Sequence, residues 1–296
     1  MWTGILVSIS ASVLFAAMYY LAPWLAPLDG EQIFGWRVLC TLPFTSLILL
    51  TRKQGPRVRT MARHALRNPA WGLALCASAA LLGVQLWLFL WAPLQGRALA
   101  VSLGYFLLPL VMVIAGRLLF DERLSLLQCL AVLLAALGVA HEILRSGALS
   151  WETWLVALGY TVYFVLRRKL GTDHLAGHWV DLALLAPPAL WYILRAPAST
   201  SLFAGHTHLW GMVTALGAVS AVALALYMAA SRLLPLGLFG LLSYVEPILL
   251  VLAALLLGER ISSAQWPTYI PIFAAVSVLV LDGALRMRAP ASHRSA

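Results

Sequence analysis

GYFLLPLVMVIAGRLLFDERLSLLQ, residues 104–128, and SYVEPILLVLAALLLGERISSAQ, residues 243–265, are two versions of one phrase. Each carries a Tyr, a Pro three or four residues on, a long apolar run, then Glu-Arg, a branched apolar residue, Ser and Gln. Tyr105, Pro109, Glu122, Arg123, Ser125 and Gln128 answer to Tyr244, Pro247, Glu259, Arg260, Ser262 and Gln265, with one single-residue gap. The recurrence points to two similar units, 1–145 and 146–296.

The medium around this repeat follows from composition. With 62% hydrophobic and 10% charged residues and a mean hydropathy of +0.90, the chain has too little polar surface to cover a water-soluble globule. Only helices or closed barrels satisfy their own backbone hydrogen bonds in lipid. Barrel strands would alternate with a two-residue period, whereas the apolar runs here are unbroken. The expectation is an all-α integral membrane protein of ten helices, over 3–22, 32–51, 70–92, 98–120, 126–144, 151–167, 178–195, 208–231, 236–258 and 266–285, each near the roughly 20 residues a bilayer core requires. Five spans per unit is an odd number, so the second unit enters the membrane from the opposite side. Inverted five-helix units are the architecture of alternating-access carriers, with the substrate site at the midplane between them.

Orientation follows from the cations, because short cytoplasmic connections carry the excess of Lys and Arg. One side collects fifteen of the twenty: Arg52, Lys53, Arg57, Arg59, Arg63, Arg67, Arg117, Arg123, Arg167, Arg168, Lys169, Arg232, Arg286, Arg288 and Arg294. Both termini are then cytoplasmic. The first run has no basic segment before it and no clear cleavage site after it, so it reads as a retained span. Trp2, Trp24, Trp71, Trp91, Trp151, Trp154, Trp179, Trp210 and Trp266 lie near span ends, where an amphipathic ring prefers the interface. RKQGPRVRTMARHALR, residues 52–67, would pass for a nucleic-acid patch, but between two spans it reads as a cytoplasmic anchor facing anionic headgroups. No nucleic-acid partner is expected.

Polar residues within the spans are the candidates for function. From Leu236 to Gly258 the only charged residue is Glu246, directly before Pro247. A carboxylate at the midplane costs roughly 2.5 to 3.5 kcal/mol on insertion scales, which makes it a functional candidate by default. The bland alternative is a protonated acid bonded to a neighbouring helix. Pro247 and Pro109 lack an N–H and displace the carbonyl four residues earlier, at Ser243 and Tyr105. Ser243, three residues before Glu246, shares its face. Arg37 and Asp181 sit near span ends and could either line a cavity or snorkel to the surface. Gln85 could serve a helix–helix hydrogen bond or a substrate. Tyr105, Tyr160, Tyr163 and Tyr244 could line a path or simply pack.

Other motifs carry less. His141 with Glu142, and His206 with His208, lack further ligands, and Cys40, Cys76 and Cys129 have no metal or redox spacing. Gly217, Ala221 and Ala225, four apart, suit close helix packing. No metal site, phosphate-binding loop or cofactor is expected, so ATP would not drive transport.

Residues 102–128, the segment EQIFGWR at 31–37 with Glu31 and Arg37, and VLRRKL at 165–170 resemble the RarD branch of the EamA-type drug/metabolite transporter superfamily. The resemblance runs over nearly the whole chain. It implies two five-helix EamA repeats in a bacterial inner membrane. Leu108 stands where that branch has a polar Asn before the Pro, and Glu246 before Pro247 is closer to the wider EamA pattern. The expected function is a secondary transporter of a small metabolite or drug, with export as the expected direction and protons as a candidate coupling ion. A non-transporting assembly or sensor subunit is the alternative. An intramembrane enzyme would need paired catalytic groups at one depth, and no His-acid, Ser-Lys or paired-Asp arrangement is evident.

Overall fold

The computed structural model describes residues 2–120, 125–146, 149–195, 199–234, 242–243 and 245–288. Among them the chain is helical, with no strand. The helices are α1 (Trp2–Leu21), α2 (Gly30–Thr51), α3 (Gly55–Arg67), α4 (Pro69–Leu94), α5 (Ala98–Phe120), α6 (Leu126–Ser146), α7 (Trp151–Leu170), α8 (Leu175–Arg195), α9 (Ser199–Gly205), α10 (His208–Leu233), α11 (Val245–Leu256) and α12 (Trp266–Arg288). The described parts of the expected spans fall on α1, α2, α4 to α8 and α10 to α12.

Six stretches, 3–25, 30–51, 69–94, 98–119, 126–145 and 208–230, are both long and apolar enough to cross a membrane. Helices α7 and α8 are of similar length but carry Arg167, Arg168 and Lys169 in one and His178 and Asp181 in the other. Leu6, Leu47, Leu50, Leu118, Leu126 and Leu144 are all exposed by more than half. Apolar exposure on that scale is stable only against another apolar phase.

Local signals set the helix ends. Asp29 accepts from the Gln32 N–H at 2.7 Å while the Gln32 side chain accepts from the Asp29 N–H at 3.0 Å, a reciprocal cap that starts α2. Asn68 caps α4, with Pro69 in the first turn. Ser150 caps α7, and Gly171, at φ +67°, ends it in the left-handed region that favours glycine.

The basic run 52–67, read as a connection, contains a helix. In α3, Val58, Met61 and Ala65 recur at three- and four-residue spacing, and Met61 is buried where α3 packs on α4 and α8. Arg57, Arg59, Arg63 and Arg67 remain exposed, so the stretch is amphipathic.

The bundle pairs α1 with α10 and α11, α2 with α8 and α10, α4 with α7 and α8, α5 with α7 and α11, and α6 with α12. Small residues permit the closest of these. A Cβ on Gly217 would fall 2.4 Å from Cys40 Cβ, so α10 and α2 nearly touch there. Gly138 likewise abuts the Thr268 carbonyl, between α6 and α12.

Candidate functional site

The close approach of α2 and α10 decides where Arg37 goes. Arg37 is 2% exposed. Its Nε donates to Ser220 Oγ at 2.9 Å, its Nη1 donates to the Leu86 carbonyl at 3.5 Å, and its guanidinium stands 5.3 Å from the centroid of Phe89. It therefore ties α2, α4 and α10 together instead of reaching for the surface. Of the two uses left open by the sequence, the side chain takes the interior one.

Arg37 lines a cavity of about 100 Å³, room for a few waters at about 30 Å³ each in the liquid, or for the polar end of a small organic molecule. Its walls come from α1, α2, α4 and α5 on one hand and α7, α8, α10, Ser243 and α11 on the other. Among the described residues, none of α6 or α12 lines it.

One wall is aromatic. Tyr105 and Tyr160 have ring centroids 5.7 Å apart and hydroxyls 3.3 Å apart, joining α5 to α7. Phe89 lies against Tyr105 at 6.1 Å, and Phe164 stacks on Tyr160 at 5.9 Å. Phe15 lies 6.4 Å from Phe89, and Tyr227 on α10 lies 6.3 Å from Phe15 and also lines the cavity. Rings with hydroxyl tips give a surface that takes both apolar and polar parts of a guest.

Glu246 and Ser243 lie in the same cavity. Glu246 keeps part of its surface open. Among the described residues none donates a hydrogen bond to its carboxylate, and none of the ion pairs includes it. Arg37 acts on it only through space. Pro109 is interior to α5 and lines the cavity. Pro247 differs: α11 begins at Val245, so Pro247 stands in its first turn, where a helix leaves its N–H groups unpaired anyway. Tyr244 lies outside the described residues.

Asp181 and Gln85 are placed elsewhere. Asp181 does not line the cavity. It is wholly buried and pairs with Arg167 at 3.3 Å, and Tyr163 donates to the same carboxylate oxygen at 3.1 Å. Arg167 also donates to Tyr163 Oη at 2.5 Å and to the carbonyls of Thr172 and His174. It is thus a buried charge, unlike its exposed neighbours Arg168 and Lys169. Tyr163 connects this pair to the cavity, which it lines together with His178. Gln85 donates to the Leu155 carbonyl at 2.7 Å, a bond between α4 and α7, and is not part of the lining.

The sequence reading missed Phe89, Tyr227, His178 and Ser220. Only His178 left a trace, its three-residue spacing from Asp181. His141 and Glu142 both engage Thr268 on α12, at 2.9 and 2.8 Å.

Long apolar helices packed around a largely apolar cavity that holds Arg37 and Glu246 are the build of a multi-pass membrane protein, and its relatives give its class as a transporter. The EamA-like transporter family matches residues 2–141. The chain is 42% identical to the chloramphenicol-sensitive protein RarD of Pseudomonas aeruginosa, over 96% of each chain. It is 40% identical to an uncharacterized transporter of Haemophilus influenzae, covering 96% of this chain and 95% of that one. Protein RarD of Escherichia coli is 28% identical over 96% of both. A crystal structure shares the fold, with a TM-score of 0.61 over 97% of this chain and 98% of the other at 23% identity. The chain belongs to the EamA-like family of transporters, with RarD proteins among its relatives, and through it to the drug/metabolite transporter superfamily.

Proposed function

We propose that this protein is a secondary transporter that carries a small metabolite or drug across the bacterial inner membrane by alternating access between two inverted five-helix units, residues 1–145 and 146–296. The observation that carries the reading is the shared cavity, to which each unit contributes four elements and in which Arg37 of one unit faces Glu246 of the other.

The packing supports two related units. If α1, α2, α4, α5 and α6 correspond to α7, α8, α10, α11 and α12, the principal pairings map onto one another. The pair α1–α10 answers to α7–α4, α1–α11 to α7–α5, and α2–α10 to α8–α4, while α2–α8, α5–α11 and α6–α12 map onto themselves. An arrangement that is its own image under exchange of the units is what two-sided access requires. Ten spans, with both termini cytoplasmic, follow from the same reading and from the distribution of Lys and Arg. Export is the proposed direction, and Glu246, an acid with no donor beside it among the described residues, is the group proposed to exchange a proton.

The test is binding followed by flux. Purified protein is heated with a panel of amino acids, nucleosides and antibiotics, chloramphenicol included because a relative's name carries it. A ligand at 100 times its Kd raises stability by about 2.7 kcal/mol. A stabilising compound is then followed in proteoliposomes with an imposed pH gradient. Saturable, gradient-dependent flux supports the proposal. Stabilisation without flux would favour the sensor reading.

A further inference from the structure

The Glu-Arg of residues 259–260, the second copy of the repeated pair, has no part in the cavity lining. Glu259 nevertheless makes contacts of a particular kind. Lying just beyond α11, it accepts from the backbone N–H of Ala98 through Oε1 at 2.7 Å and from that of Leu99 through Oε2 at 2.9 Å. These are the first two donors of α5, which a helix cannot satisfy by itself. A carboxylate there gains charge-assisted bonds and the positive end of the helix dipole. Arg97, the preceding residue, has no side-chain acceptor to offer in its place.

The same turn of α5 is held from other sides. Tyr19 donates to the Ala98 carbonyl at 2.9 Å, Thr153 donates to the Ala100 carbonyl at 2.8 Å, and Arg97 pairs with the fully buried Glu152 on α7. Leu99, Val101, Leu103 and Phe106 beyond it are all buried. Seven residues after Ala98, at Tyr105, α5 reaches the cavity, which it lines with Tyr105, Leu108, Pro109 and Met112, of which Met112 is 38% exposed. One end of the cavity-wall helix is thus fastened and packed, and the fastening crosses between the two proposed units.

We infer that Glu259 is a latch: by capping α5 it holds the cavity shut at the end where α5 begins, and the path opens there only when the cap is released. The inference rests on the transporter reading above. The chemistry suits a reversible latch. Glu259 is only partly buried, so on release water can take over its bonds, whereas the N–H groups of the buried Ala98 and Leu99 gain water only as the start of α5 moves away, which couples loss of the cap to opening.

The experiment reads access from each face. In a full-length chain with Cys40, Cys76 and Cys129 changed to Ala, Leu108→Cys reports from the cavity. It is treated with a membrane-impermeant maleimide in right-side-out and in inverted vesicles. Modification is expected from one face only, the face away from the start of α5. Adding Glu259→Gln, which removes the charge and one acceptor, should raise the rate from the latch face at least tenfold without raising it from the other. Ala98→Pro removes one donor at a helix position where proline is tolerated and should act in the same direction by a smaller factor, which also serves if Glu259→Gln fails to insert. Unchanged one-sided labelling in both variants, or an equal rise from both faces, would overturn the latch and leave Glu259 a structural cap. Equal labelling from both faces, or from neither, before either change would instead remove the gated path itself.

Discussion

Glu246 and Glu259 flank the same helix, one in the first turn of α11 and one just past its last, and their surroundings are opposite. Glu259 has both oxygens filled by the N–H groups of Ala98 and Leu99. Glu246 opens into a cavity with no donor among the described residues. A carboxylate whose lone pairs are spent on the fold holds the fold in place. One whose lone pairs are left over is available to a guest or a proton. Arg167 and Arg37 make a related pair: the first is enclosed by Asp181, Tyr163 and two carbonyls, while the second is fastened by Ser220 and Leu86 yet still borders the cavity.

The contrast predicts graded costs. Asp181→Asn should be the most destabilising change, by about 3 kcal/mol, the low end for leaving a buried charge without its partner, because the Thr172 and His174 carbonyls still hold Arg167. Thermal unfolding in detergent measures it, and a loss below about 1 kcal/mol would mean that the pair is not the anchor of α7 on α8.

Glu259→Ala should cost about 2 kcal/mol, the upper range for loss of a helix cap. The same unfolding measurement applies, and a neutral result would show that water caps α5 equally well.

Arg37→Lys keeps a cation but loses the planar fork. Stability should fall by about 1 kcal/mol, the net worth of the bond to Ser220, and flux should fall more than stability. Flux at the level of the parent would reduce Arg37 to a fastening between helices.

The smallest structural effect and the largest functional one should meet in Glu246→Gln. With no bond to lose among the described residues, and with a neutral group less costly at the midplane, its unfolding temperature should match or exceed the parent's. Flux should drop at least tenfold and no longer respond to pH. Parent flux with the parent pH profile would return Glu246 to a structural role and erase its contrast with Glu259.

Much of this was legible in the sequence. Apolar runs placed the helices because lipid demands about 20 residues of self-satisfied backbone whatever surrounds them. Glu246 was conspicuous because a lone charge in such a run is costly. The cap on α5 was not legible, although its Glu stood in the repeated phrase, since a capping partner 160 residues away obeys no local spacing. The burial of Arg167 was not legible for a related reason. Its neighbours Arg168 and Lys169 look alike in sequence, and only the fold of 171–174 back over α7 and the approach of α8 bury one of the three.

The sequence by itself determined the medium, the helices, the repeat and the presence of charges that lipid would not tolerate without reason. Those are properties of composition and period, which a chain carries before it folds. Tertiary structure decided which charges are fastened and which are free. Arg37 finds Ser220 across 183 residues, Tyr105 finds Tyr160 across 55, and Glu246 finds no donor among the described residues. Partnership between buried polar groups depends on which helices touch and at what height. That is fixed by side-chain packing between segments distant in the chain, to which local sequence patterns are blind.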